Sequence, residues 1–125
     1  MTLPLRTTRA GLELIKSFEG FRARSTRLPD GRWTIGHGHV RTAREGVRIS
    51  RDDAELLLIY DIRRIEAEIE DCLLSPLNAN QYNSLVSFVY NISPGQFRQS
   101  DVLRMLNRGV HIAAAMGMEA WRKAR

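Results

Sequence analysis

The chain has 125 residues, with 19 Lys and Arg against 14 Asp and Glu, a net charge of +5 and a hydrophobic fraction of 43%. That length and apolar content suit one globular domain, residues 1–125, with a modest core, and exclude a disordered chain. The positive excess favours a polyanion such as cell wall, nucleic acid, anionic membrane or an acidic protein; it is spread rather than blocked, and short clusters such as Arg22, Arg24, Arg27 and Arg63, Arg64 read as solvated faces.

The stretch Met1-Thr2-Leu3-Pro4-Leu5-Arg6 leads into no apolar run of signal-peptide length. No run approaches the ~20 apolar residues of a membrane helix. The expectation is a chain that stays in the cytoplasm where it is made. A first helix starts near Thr8, a good N-cap residue, with Leu12, Leu14, Ile15 and Phe18 as its apolar positions. Gly20 stops it and leaves Glu19 at the helix end. Over residues 21–40, Pro29-Asp30-Gly31 is turn chemistry, Trp33-Thr34-Ile35 is strand-like and Gly36-His37-Gly38 breaks the pattern. This predicts a small antiparallel sheet that must pack on helices.

Ser50, followed by Asp52 and Asp53, opens the longest helix, whose apolar positions Ala54, Leu57, Leu58, Ile62, Ile65 and Ile69 run on to Cys72. At ~1.5 Å per residue it is long enough to link a sheet lobe to a helical lobe. Cys72 sits in that apolar pattern and reads as an inert buried thiol. Asn78 and Gln81 form a second start signal, and Leu85 through Tyr90 is apolar almost all round, which predicts a central helix ended by Ser93-Pro94-Gly95. Ser100-Asp101 opens a short helix closed by Gly109. A last helix covers about residues 111–122, with Ile112, Ala115, Met116 and Trp121 as its apolar positions. The total is a mainly helical α+β domain.

Leu14-Ile15-Lys16-Ser17-Phe18-Glu19-Gly20 followed by Trp33-Thr34-Ile35-Gly36-His37-Gly38-His39 resembles phage-type lysozymes of glycoside hydrolase family 24. Asn80-Gln81-Tyr82, Phe88 through Ile92, Leu103 through Asn107 and Trp121 extend the match. The resemblance implies a phage-lysozyme fold, hydrolysis of the β-1,4 glycosidic bond of peptidoglycan, no cofactor and no metal. It also implies a further arginine-rich helix beyond Trp121, which is absent here. The family's active-site pattern is Glu, eight residues, Asp or Cys, five residues, Thr. Glu19 fills the acid's place and Thr34 the water-positioning place, but Leu28 stands where the second carboxylate belongs.

Leu28-Pro29-Asp30-Gly31-Arg32-Trp33-Thr34-Ile35-Gly36 is similar, more closely, to muramidase-like domains of bacterial polar localisation proteins. That likeness implies a cytoplasmic protein-interaction module, tethered through a downstream membrane segment outside this sequence. Its implied partners are a polar organising scaffold and a sensor histidine kinase, with self-association open. Peptidoglycan is a partner only if the site is active. No helix-turn-helix, zinc or RNA-binding motif supports nucleic acid as a partner.

Glycosidic cleavage needs an acid for the leaving oxygen and a carboxylate or held water on the other side of the sugar. Leu28 can supply neither. Asp30, two places on, has two readings: a turn former bonding local backbone, or a substitute carboxylate. His37 and His39, spaced by two, would share one face of a strand, with His111 a remote third ligand. The family pattern instead makes His39 a structural hydrogen-bonding group and puts His37 at the cleft mouth. Trp33 stacks on sugar or packs in the core, and Tyr90 reads as core.

Overall fold

A computed structural model describes residues 5–123. Met1–Pro4, read above for a leader, and Ala124-Arg125 lie outside the described residues, as do the side chains of Ala113 and residues 120–123, Trp121 among them. The element order is α1 (Arg9–Glu19), β1 (Arg22–Arg27), β2 (Trp33–Gly36), α2 (Arg51–Cys72), α3 (Ala79–Ile92), α4 (Pro94–Arg98), α5 (Asp101–Asn107) and α6 (His111–Lys123). The expected α+β architecture is present: a two-stranded antiparallel sheet, a long helix leaving it and a helical lobe.

The sheet pairs Thr26 with Thr34 and Arg27 with Trp33, with an irregularity between Arg22 and Thr26. Its connection is tight. Leu28 N donates to Arg32 O (2.7 Å) and Gly31 N to Leu28 O (2.9 Å), which closes the turn that Pro29-Asp30-Gly31 encodes. The other edge of β1 is met by the segment before α2: Ser25 N donates to Val47 O (2.9 Å) and Ile49 N to Ala23 O (2.8 Å).

Helix α2 begins as its sequence predicts, with the Ser50 hydroxyl accepting from Asp53 N (3.1 Å). Its first turns pack on the sheet, where Ala54 is fully buried. Its later turns bury Leu58, Ile62, Ile65 and Ile69 against α3 and α4. Asn78 and Gln81 form a complete capping box for α3. Leu85, Val86, Phe88 and Val89 are all buried, so α3 is the central helix. The Cys72 thiol is half-buried and donates to Glu68 O (3.2 Å), and burial raises its pKa.

Four expectations change. Thr8 precedes α1 but makes no side-chain cap; its hydroxyl accepts from Asn83 Nδ2 (2.7 Å) and ties α1 to α3 instead. Phe18 is 49% exposed rather than sharing the buried face of Ile15. Ser93-Pro94-Gly95 does end α3, but it also starts α4. The Ser93 hydroxyl accepts from Gln96 N, Pro94 takes the first turn, where its missing N–H is harmless, and Phe97 is driven into the core. In α6, Ile112 and Met116 are exposed. The buried face carries Ala114, and a Cβ on Gly117 would stand 3.0 Å from Val102, so small residues set how closely α6 packs on α5.

Candidate active-site cleft

Three elements converge on a cleft of about 440 Å³ lined by Glu19, Leu28, Thr34, Tyr90, Ser93 and Gln96, among others. Glu19 is brought there because α1 ends one residue later at Gly20. Thr34 reaches it from β2, and Leu28 from the first position of the hairpin connection. The C-terminal turn of α3 and the start of α4 form the opposite wall. Glu19 is the one carboxylate lining this cleft among the described residues.

The loop Gly36-His37-Gly38 holds the cleft's geometry. Ile35 and His39 exchange backbone hydrogen bonds of 2.9 Å in both directions, so the chain reverses between them. His37 and His39 therefore do not share one face of a continuing strand, as their spacing suggested. His37 is buried, and its Nδ1 lies 2.6 Å from Gly20 O. A carbonyl only accepts, so Nδ1 carries the proton and ties the loop to the residue after Glu19. The Tyr90 hydroxyl donates to His37 O (2.6 Å) from the other side. Burial pushes the Tyr90 phenol pKa far up, and the Asp61 and Glu19 carboxylates push it further, so it stays a donor. Between them, Gly38 (φ +87°) leaves room for Glu19: a Cβ there would stand 3.0 Å from Glu19 Oε2 and 3.4 Å from the Tyr90 ring.

His39 is structural, as the pattern implied. It is 2% exposed; Thr42 N donates to its Nε2 (3.2 Å), leaving Nδ1 to donate to Asp61 Oδ2 (2.7 Å). His111 contacts Ser75 (3.2 Å) instead of the other histidines, and no group of His, Cys, Asp and Glu among the described residues is arranged to hold a metal ion.

The remaining sequence-based candidates separate. Leu28 shares the cleft with Glu19 and Thr34. Asp30 is exposed and does not line it: its carboxylate accepts from Arg32 N (3.0 Å) and Arg32 Nε (2.7 Å), and these bonds lower its pKa. It is the turn former of the two readings. Trp33 is half-buried on β2 and His37 lines a separate depression with Phe21 and Arg51; neither contributes to the Glu19 cleft. Tyr90, read as core, packs against the core and also walls the cleft. The contributions of Asn91, Ser93 and Gln96 were not foreseen. Ser93 offers one signal only in the structure: a φ of 92°, rare and strained for a side-chain-bearing residue, in the cleft wall.

A sheet lobe and a helical lobe joined by one long helix, with a lone carboxylate at a helix end facing a groove, define a lysozyme-type domain. The phage lysozyme family model matches residues 16–125, and the chain belongs to the phage lysozyme family. It is 36% identical over 115 residues to the endolysin of Acyrthosiphon pisum secondary endosymbiont phage 1, covering 92% of this chain and 79% of that one. It is 32% identical over 123 residues to the endolysin of Bacillus phage PZA, covering 96% of this chain but spanning 48% of that endolysin. Among solved structures, the muramidase domain of SpmX from Asticaccaulis excentricus is 48% identical, with a TM-score of 0.88 over 93% of this chain and 79% of that one.

Proposed function

We propose that this domain has little or no peptidoglycan hydrolase activity and serves as a cytoplasmic protein-interaction and polar localisation module. The observation that carries the reading is Leu28 in the wall of the Glu19 cleft, with no second carboxylate lining it among the described residues. An isobutyl group neither accepts a proton nor stabilises an oxocarbenium ion. Loss of general base assistance alone lowers rate by about 10²–10⁴. Asp30 cannot substitute while Arg32 and the turn hold its carboxylate outside the cleft. Replacing a carboxylate with an aliphatic group also makes the cleft better suited to an apolar side chain of a partner. Likeness to the muramidase domain of SpmX supports the same role. The partners it suggests are a polar organising scaffold and a sensor histidine kinase. A membrane tether would have to come from further sequence, since no helix among the described residues is long and apolar enough to cross a bilayer.

The alternative is an active endolysin, favoured by Glu19 and Thr34 still facing the same cleft. Turbidity of permeabilised bacteria decides between them. The wild-type chain is expected to clear no faster than Glu19→Gln. Rapid clearing that Glu19→Gln abolishes would establish the endolysin.

A further inference from the structure

The net charge of +5 is not spread over the molecule. Residues 21–50, the sheet lobe and its connections, hold Arg22, Arg24, Arg27, Arg32, Arg41, Arg44 and Arg48 against Asp30 and Glu45, a net of +5. Outside them, twelve basic and twelve acidic side chains cancel. The two parts also treat their cations differently. In the helical part Arg6, Arg9, Lys16, Arg63, Arg98 and Arg104 each meet a carboxylate. In the sheet lobe, only Arg32 does, among the described residues. The others are exposed, and Arg24 even lies opposite Arg48 across an antiparallel bridge. Like charges placed opposite each other destabilise a sheet, so solubility alone is a poor reason for this arrangement.

We propose that the arginine face of the sheet lobe binds an acidic polypeptide segment, one of whose apolar side chains enters the Glu19 cleft. This rests on the reading that the cleft no longer hydrolyses sugar. All seven lobe cations are arginine, whose planar fork pairs with carboxylate or phosphate. The cleft favours the carboxylate source. Arg22 and Arg32 line it together with Leu28, Val40 and Ile92, so cationic and aliphatic groups meet at one opening. A polypeptide supplies carboxylates and an aliphatic side chain in one strand. A nucleic-acid duplex has no aliphatic group for Leu28, and a flat bilayer surface cannot enter a cleft.

The test is fluorescence anisotropy of the full chain with a labelled poly-glutamate peptide carrying one central leucine. Saturable binding is expected, weakening as salt rises. Combined Arg24→Glu and Arg48→Glu should weaken it roughly tenfold. Combined Arg64→Glu and Arg108→Glu, the same charge change in the helical part, should change it less than about twofold. Replacing the peptide's leucine with serine should weaken binding to the wild type. Thermal unfolding checks that each variant is folded. Equal losses in the two double variants, or no dependence on the peptide's leucine, would overturn the proposal. So would tighter, lobe-dependent binding of a DNA duplex, of phosphatidylglycerol vesicles or of soluble peptidoglycan fragments. Absent binding with absent cell clearing removes this inference alone, whereas clearing by the wild type removes the reading beneath it.

Discussion

Gly38 shows how one residue sets the cleft. Its positive φ and the space beside it serve different ends, and they can be separated because Gly46 has a similar φ of +80° with nothing within 4 Å of a built Cβ. A residue with a side chain in this left-handed region costs about 1–2 kcal/mol. Gly46→Ala should show that backbone cost alone. Gly38→Ala should lose more, because its methyl meets the Glu19 carboxylate and the Tyr90 ring. Urea unfolding midpoints measure both, and equal losses would mean that Glu19 moves aside freely. This relation was not legible in the sequence, where Gly36-His37-Gly38 read only as a break. Glu19, Leu28 and Thr34 were legible, because a helix end, a hairpin and a short strand fix them locally. Tyr90 and Ser93 were not. Their place in the cleft depends on how α3 lies against α1 and the sheet, which no local pattern encodes.

Among the elements, the amphipathic or capped ones were readable and the short ones were not. Helices α2 and α3 carry cap residues and enough turns for their apolar period to show. Helix α4 has five residues, too few for any period, and its Pro-Gly start is also a stop signal. Only tertiary packing reveals that Phe97 is one of the most buried side chains. The seam between α1 and α2 has its own signature. Glu55 accepts from Arg9 (2.6 Å) and Lys16, and these bonds hold its pKa at about 2, below the ordinary 4.5. A carboxylate depressed in the folded state contributes stability above its unfolded pKa and loses it as pH falls through the folded one. Urea midpoints of the wild type should therefore drop between about pH 4.5 and 2. Glu55→Gln should flatten that part of the curve. Identical curves for the two proteins would mean that solvent screens the seam completely.

At the scale of the whole molecule, the feature to explain is a fold that neutralises its charges in one lobe and leaves them opposed in the other. Sequence reading took the arginines for solvated faces because they are separated along the chain; the bridge that aligns Arg24 with Arg48 brings the charge together only in three dimensions. The two explanations differ in sign for one variant. Arg24→Glu converts a like-charge cross-strand pair into an opposite one, worth about 0.2–1 kcal/mol in favour of the folded state. Added salt should raise the urea midpoint of the wild type and not that of the variant, since it screens repulsion in one and attraction in the other. If the arginines serve binding, the same substitution that stabilises the domain also weakens its hold on an acidic peptide, the usual opposition between stability and a functional surface. If they are merely solvated, Arg24→Glu leaves both unfolding and binding where they were, and the lobe's charge has no role beyond solubility.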